Sequence, residues 1–188
     1  RIIDFVPVRI GTETRLFGAT FRFDYTLHSI PTIRFETWFG GKSLVYSSDT
    51  LNDRKTVERL HSEGIMTRER ADALNNFPWH HDLIVHEAGV PPIHTPPELL
   101  LDLPPDVKER TWLVHTASKD IPAGSGLKRA EPGLENTLRL DVEVPPTSRL
   151  LSWLDAFQTI EHFRDLPMHK ALEVLSLIHI SEPTRPSI

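Results

Sequence analysis

GKSLVYSSDT at residues 41–50, DLIVHEA at 82–88 and TWLVHTA at 111–117 are the stretches whose reading decides the fold. Each holds a short run of branched aliphatic and aromatic residues that breaks at a polar group, the pattern of a strand with neighbours on both flanks. Upstream, apolar and polar residues alternate through Thr20–Tyr25 and Thr32–Phe39, which predicts two half-buried strands on either side of LHSIP. Gly40-Gly41 signals a hairpin into the strand SLVYS. Asp53–Glu63, with Val57 and Leu60 on one face and Gly64 as its stop, predicts a surface helix. Thr67–Asn76 predicts a second, with Thr67 as N-cap, and a short helix is expected near Pro97. Strands alternating with helices make an α/β layered fold. Residues 117–146 read as loop apart from a strand candidate, NTLRLDVEV at 136–144, and no internal repeat is visible.

The composition bounds the chemistry. With 188 residues, 39% hydrophobic and 25% charged, the chain has ordinary globular composition. The absence of cysteine excludes disulfides and thiolate metal sites, so a metal ion has to be held by His, Asp or Glu, and ten histidines are available. A net charge of −5 offers no basic field for a phosphate backbone. No apolar run approaches the ~20 residues of a membrane span, and the expectation is a soluble, cytoplasmic protein. RIIDFVPV at 1–8 reads like the middle of a strand, which predicts a chain truncated at its N-terminus. LSLIHISEPTR, from Leu175, resembles a translated sequencing adapter, so residues 175–188 are set aside.

Three polar residues, His28, Asp49 and His115, fall where strands are expected to end. Strand ends on one rim of a sheet are where α/β proteins place sites, and His with carboxylate suits zinc, manganese or iron. Taken together, LHSIPTIRF, GKSLVYSSDT, HDLIVHEA with HTPPELL, and WLVHTA resemble the second half of a metallo-β-lactamase-fold domain, in the branch of ribonuclease Z and the cyclic-nucleotide phosphodiesterases. The resemblance covers residues 19–120. It implies half of an αββα sandwich in residues 1–146, with His28, Asp49 and His115 as ligands of two divalent metal ions, Asp49 bridging them. The expected metal is zinc, with manganese or iron as alternatives. Glu87 and His94 match the acid and histidine that form a proton-transfer pair in that branch. Two departures count against tRNA processing: the family's HEAT is HEAG here, with Gly89 in place of threonine, and PPELLLDLPPDVKER fills the space before the last histidine. The family's HxHxDH string occurs nowhere in the chain, so these residues are expected to supply only part of the site and to be poorly stable alone.

The function expected is metal-dependent hydrolysis of a phosphodiester, as in a cyclic-nucleotide phosphodiesterase, with a small phosphodiester or nucleotide as substrate. The alternatives are a ribonuclease Z-like endonuclease and a non-catalytic cyclic-nucleotide-regulated binding module. RNA ranks behind a small substrate, no membrane partner is expected, and a homodimer is left open. Residues 147–174, containing IEHFRDLPMHKALEVL, resemble the opening helix of a cyclic-nucleotide-binding domain, with a closing helix of the first domain as the rival reading. His80-His81 follows Phe77-Pro78-Trp79 and reads as surface, His61 lies on a surface helix, and His86 is expected to face away from Glu87 because alternate strand residues point to opposite faces. GSGLKR at 124–129 lacks P-loop spacing, and the four tryptophans read as packing residues.

Overall fold

The structure, a computed structural model, describes residues 7–16, 18–142 and Lys170. Seven strands form one mixed sheet in chain order: β1 (Glu13–Leu16), β2 (Ala19–Tyr25), β3 (Ile33–Phe39), β4 (Lys42–Tyr46), β5 (Leu83–Glu87), β6 (Thr111–Val114) and β7 (Lys128–Arg129). The pairs from β1 to β4 are antiparallel, and those from β4 to β7 are parallel. Two successive reversals leave β2 running with β4, β5, β6 and β7, so five strands point their C-terminal ends to one rim. The α/β class read from the sequence is the class observed.

Local chemistry sets the helices. At α1 (Arg54–Ser62) the Asp53 carboxylate accepts from the Lys55 and Thr56 amides, and Gly64 at φ +73° ends the segment in a conformation costly for other residues. Thr67 caps α2 (Arg68–Asn75) by accepting from the Arg70 amide, and Arg68 reaches Glu58 at 2.7 Å to tie the two helices. α3 (Pro105–Arg110) and a 3-10 turn at Pro97–Leu100 fill the connection from β5 to β6.

The helix-facing side of the sheet holds the core. Val45 and Ile84 pack with Phe77 and Val107, Leu113 with Ala88 and Leu100, and Val57 with Ala71 and Leu74. On that same side β3 buries Arg34 and Glu36, not its apolar residues. The register pairs Phe23 with Phe35 and Phe35 with Tyr46, so the aromatic row shares the opposite face. There Phe21, Phe23, Phe35 and Tyr46 are half-buried, while Tyr25, Ile33 and Phe39 are exposed.

Three elements escaped the sequence reading. β1 and β7 are short, polar edge segments held by backbone pairing, and α3 is six residues launched by a proline. One expectation fails: the described part of NTLRLDVEV has a 3-10 turn ending at Asn136 and no strand through Val142. Its alternation finds no strand to pair with among the described residues. Pro7 and Val8 of RIIDFVPV lie outside any strand, and the rest of that run falls outside the described residues. The chain divides into two compact units, Arg1–Glu143 and Val144–Ile188. Every element named here belongs to the first, and the expected segments 147–174 and 175–188 lie outside the described residues except for Lys170. Among the described residues no helix is long and apolar enough to cross a membrane.

Candidate functional site

All five residues nominated from the sequence occupy the shared rim. His28 stands three residues beyond β2, Asp49 three beyond β4, Glu87 is the last residue of β5, His94 lies in the loop that leaves β5, and His115 follows β6 directly. Their side chains converge. His115 Nδ1 lies 3.4 Å from Asp49 Oδ1 and 3.8 Å from Glu87 Oε2, and His94 Nδ1 lies 3.3 Å from the same Glu87 oxygen. The His94 ring meets His115 edge-on at 4.7 Å between centroids and His28 at 5.2 Å.

A lattice of hydroxyls and amides holds this arrangement. Glu87 is buried, and its Oε1 accepts from the Thr50 amide at 3.2 Å and the Thr95 amide at 3.0 Å. Thr95 in turn donates its hydroxyl to the Thr50 carbonyl and accepts from the Asn52 amide, closing the β5 loop onto the loop after β4. On the other flank, Thr26 and Thr32 both donate to the Asp49 carbonyl, and the Leu51 amide donates to the Leu27 carbonyl, so the His28 segment is fastened to Asp49. Ser47 joins the strands from within, its hydroxyl accepting from the Glu87 amide. The sequence reading missed these four hydroxyl residues; their only signal is adjacency to the nominated positions.

Two non-glycine residues here adopt left-handed backbone: Ser48 at φ +54°, next to Asp49, and His115 at φ +62°. Such conformations cost about 1–3 kcal/mol and gather where a side chain has to be aimed. Gly89 adds a steric condition. A Cβ at that position would meet His94 Cβ at 2.9 Å and Cγ at 3.1 Å, so only glycine lets the His94 ring settle against Glu87 as it does. The threonine of the HEAT pattern would displace it.

The electrostatics leave this rim unfinished. Burial raises the Glu87 carboxyl above its usual range, and the negative charge of Asp49 adds to that; the Thr95 and Thr50 amides and the His94 ring oppose the shift without cancelling it. Glu87 Oε2, His94 Nδ1 and His28 Nε2 are all buried with no hydrogen-bond partner. Glu87 Oε2 and His94 Nδ1 face each other without a hydrogen bond and His28 Nε2 has none, so the rim retains buried capacity to hold a further polar group. Asp49, His94 and His115 each offer a ligand atom within 4.8 Å of the others, a nitrogen and oxygen set that fits a divalent cation. His28 is not in that tight group but borders it through His94. A cavity of about 230 Å³ opens beside His28 between Leu27, Leu51, Leu60 and Ile93. A larger one of about 560 Å³, near Asn52, Trp79 and Leu103, touches none of the five residues.

The remaining histidines are sorted by burial. His86 faces away from Glu87, as expected, and is fully buried against Phe77 and Trp79. Its Nδ1 pairs with the Glu87 carbonyl and its Nε2 with the Asn52 amide, and burial drives its pKa down to about 4 despite the carbonyl's opposing pull. His81 corrects the sequence reading: it is wholly buried, not surface, because Glu36 on β3 reaches it at 2.8 Å, a partner 45 positions away. His80 is exposed. His61 bonds the Met66 carbonyl at the turn between α1 and α2.

No family model matches the chain. Among curated proteins, the cGMP-dependent 3',5'-cGMP phosphodiesterase A of Dictyostelium discoideum is 45% identical over 175 residues, covering 93% of this chain and 20% of that protein. The cAMP/cGMP-dependent 3',5'-cAMP/cGMP phosphodiesterase B of the same organism is 40% identical over 138 residues, 73% of this chain and 12% of that one. The anti-Pycsar protein Apyc1 of Paenibacillus harenae is 31% identical over 113 residues, 60% and 41% of the respective chains. The chain thus spans about a fifth or less of the two Dictyostelium proteins it matches. A solved structure, the metallo-β-lactamase fold protein YhfI of Bacillus subtilis, aligns with 64% of this chain and 46% of its own at 12% identity and a TM-score of 0.42.

Proposed function

Homologous over most of its length to cyclic-nucleotide phosphodiesterases, this chain is one we propose to contribute one wall of a metal-dependent active site that hydrolyses a 3',5'-cyclic nucleotide, within a metallo-β-lactamase-type domain. The observation that carries the reading is the convergence of His28, Asp49, Glu87, His94 and His115 on one rim with three buried polar atoms left unpartnered. Asp49, His115 and His28 would hold the metal, zinc by preference for this donor set. A bound divalent ion lowers the pKa of a water toward neutral and offsets charge on the phosphodiester oxygens.

The chain's own residues supply the rest. Glu87, anchored by two backbone amides, turns Oε2 to His94 Nδ1 at 3.3 Å and so fixes which edge of that ring faces the substrate. As the water oxygen bonds to phosphorus and one ester P–O bond breaks, His94 hands its proton to the departing oxygen, a role a carboxylate-oriented imidazole performs well near neutral pH. The cavity lined by Leu27, Leu51, Leu60 and Ile93 offers an apolar wall to the nucleoside. Compartment and oligomeric state stay with the sequence-based expectations, a cytoplasmic protein with a homodimer left open.

The test is hydrolysis of 3',5'-cyclic GMP and cyclic AMP by the protein encoded in the full open reading frame. Asp49→Asn is expected to lower kcat/KM by more than about a hundredfold, since even residues that only orient metal ligands cost ~10–100-fold. His94→Gln should lower kcat more than it raises KM, because the group that protonates the departing oxygen is lost while the substrate wall stays. An Asp49→Asn enzyme with the wild-type rate, or a rate untouched by chelator, overturns the reading.

A further inference from the structure

A second acid and histidine cluster lies away from the rim. His80 and His81 sit in the turn that enters β5, whereas the candidate active site gathers where β5 ends; the five residues of β5 at ~3.3 Å each span about 16 Å. The His81 side chain is wholly buried, with Nε2 2.8 Å from Glu36 Oε2 and Nδ1 buried without a partner. The exposed His80 ring stacks on it, 4.5 Å between centroids and 28° between planes. Glu36, His80 and His81 each bring a ligand atom within 4.8 Å of the other two.

We propose that Glu36, His80 and His81 form a second metal site, a staple that takes a borderline divalent cation such as zinc(II) and fastens β3 to the turn before β5. The donor set is two imidazoles and one carboxylate, which suits zinc and excludes a hard oxygen-only cation such as calcium. Bonds of ~2.1 Å at tetrahedral angles place ligand atoms about 3.4 Å apart. From a group that now lies within 4.8 Å the site closes by up to about 1.4 Å, a movement open to His80, which is exposed on a loop. The arginines around the cluster have contacts of their own: Arg22 and Arg34 face Asp24 at 3.3 and 3.6 Å, and Arg110 donates to the His81 carbonyl and faces Asp106 at 3.4 Å. The Trp38 ring, 5.3 Å from that of His81, closes one side of the cluster.

This inference does not depend on the activity proposed for the rim. Its test is zinc binding by the full chain carrying Asp49→Asn, which disables the rim, compared with the same chain also carrying His80→Ala. His80 is exposed, so its removal leaves the core in place. The expected result is one zinc equivalent held by Asp49→Asn and bound at least tenfold more weakly once His80 is gone, with zinc raising the melting temperature of the first protein only. Equal zinc affinity and stoichiometry in the two proteins overturns the proposal, and so does an Asp49→Asn chain that binds no zinc.

Discussion

Two glutamates in this sheet face a histidine from a buried position, and they end on opposite sides of the ordinary carboxylate range. At the base, burial pushes Glu36 upward, but the hydrogen bond from His81 and the charges of His81, Arg34 and Arg22 outweigh it and leave the group below its usual value. At the rim, burial pushes Glu87 upward too, and Asp49 adds its own negative charge. The amides of Thr95 and Thr50 and the His94 ring do not outweigh these, and the group stays high. The difference lies in the contact itself. Glu36 and His81 meet at 2.8 Å in hydrogen-bonding geometry, with only His81 Nδ1 left over, whereas Glu87 and His94 stand 3.3 Å apart without it. The first contact ties β3 to the turn before β5, while the second leaves a carboxyl and a ring facing each other with no hydrogen bond between them.

The sharpest way to break the comparison is to remove the closing partner at the base. His81→Leu should cost about 3–5 kcal/mol of unfolding free energy in urea titration, because it strands a buried carboxylate. Adding Glu36→Leu should return much of that loss, and a double variant no more stable than the single would show that the pair's geometry, not its charge, is what matters. The sign for Glu36 follows from its depressed value: its contribution is complete above its ordinary pKa of 4.5 and is lost as pH falls through the lower folded one.

His86 gives the next largest effect. The folded protein holds it neutral down to about pH 4, while the unfolded chain protonates it near 6.5. Between those values only the unfolded state gains the proton, so stability is full above pH 6.5 and falls by roughly 3 kcal/mol as pH drops toward 4. Denaturant midpoints measured at pH 7 and 4.5 should diverge in the native protein and diverge less in His86→Leu.

Smaller changes sharpen the rim. Gly89→Ala should destabilise by about 1–3 kcal/mol through overpacking against His94 and depress hydrolysis more than it raises KM, because the ring moves while the substrate wall does not. An alanine variant with native activity would show that His94 tolerates displacement. Thr95→Val removes the hydroxyl that joins the Thr50 carbonyl to the Asn52 amide and should cost about 1–2 kcal/mol in the same urea titration, with a smaller loss at the rim than Gly89→Ala gives.

Much of this architecture was legible beforehand. The alternation in Thr20–Tyr25 and Thr32–Phe39, the Gly40-Gly41 turn, the Asp53 and Thr67 caps and the two aliphatic runs all correspond to observed elements, because each is a local signal carried within a few residues. The failures are of one kind. The edge strands β1 and β7 exist only through a neighbour's backbone, NTLRLDVEV alternates without finding such a neighbour, and His81 owes its burial to a glutamate on β3. None of those facts is local, so none leaves a pattern in a window of residues.

The same division holds for the function. By itself the sequence determined the residue types available for chemistry, with no thiolate and many imidazoles, and it placed His28, Asp49 and His115 at or just beyond strand ends. That much follows from periodicity, since the side chains of a strand stop alternating where the backbone leaves the ladder. Only the tertiary structure decided that those strand ends share a rim, that Gly89 makes room for His94, and that two glutamates of like burial have opposite acidity. Those outcomes depend on strand direction, close approach and the full set of neighbouring dipoles, which come into being only when distant segments pack.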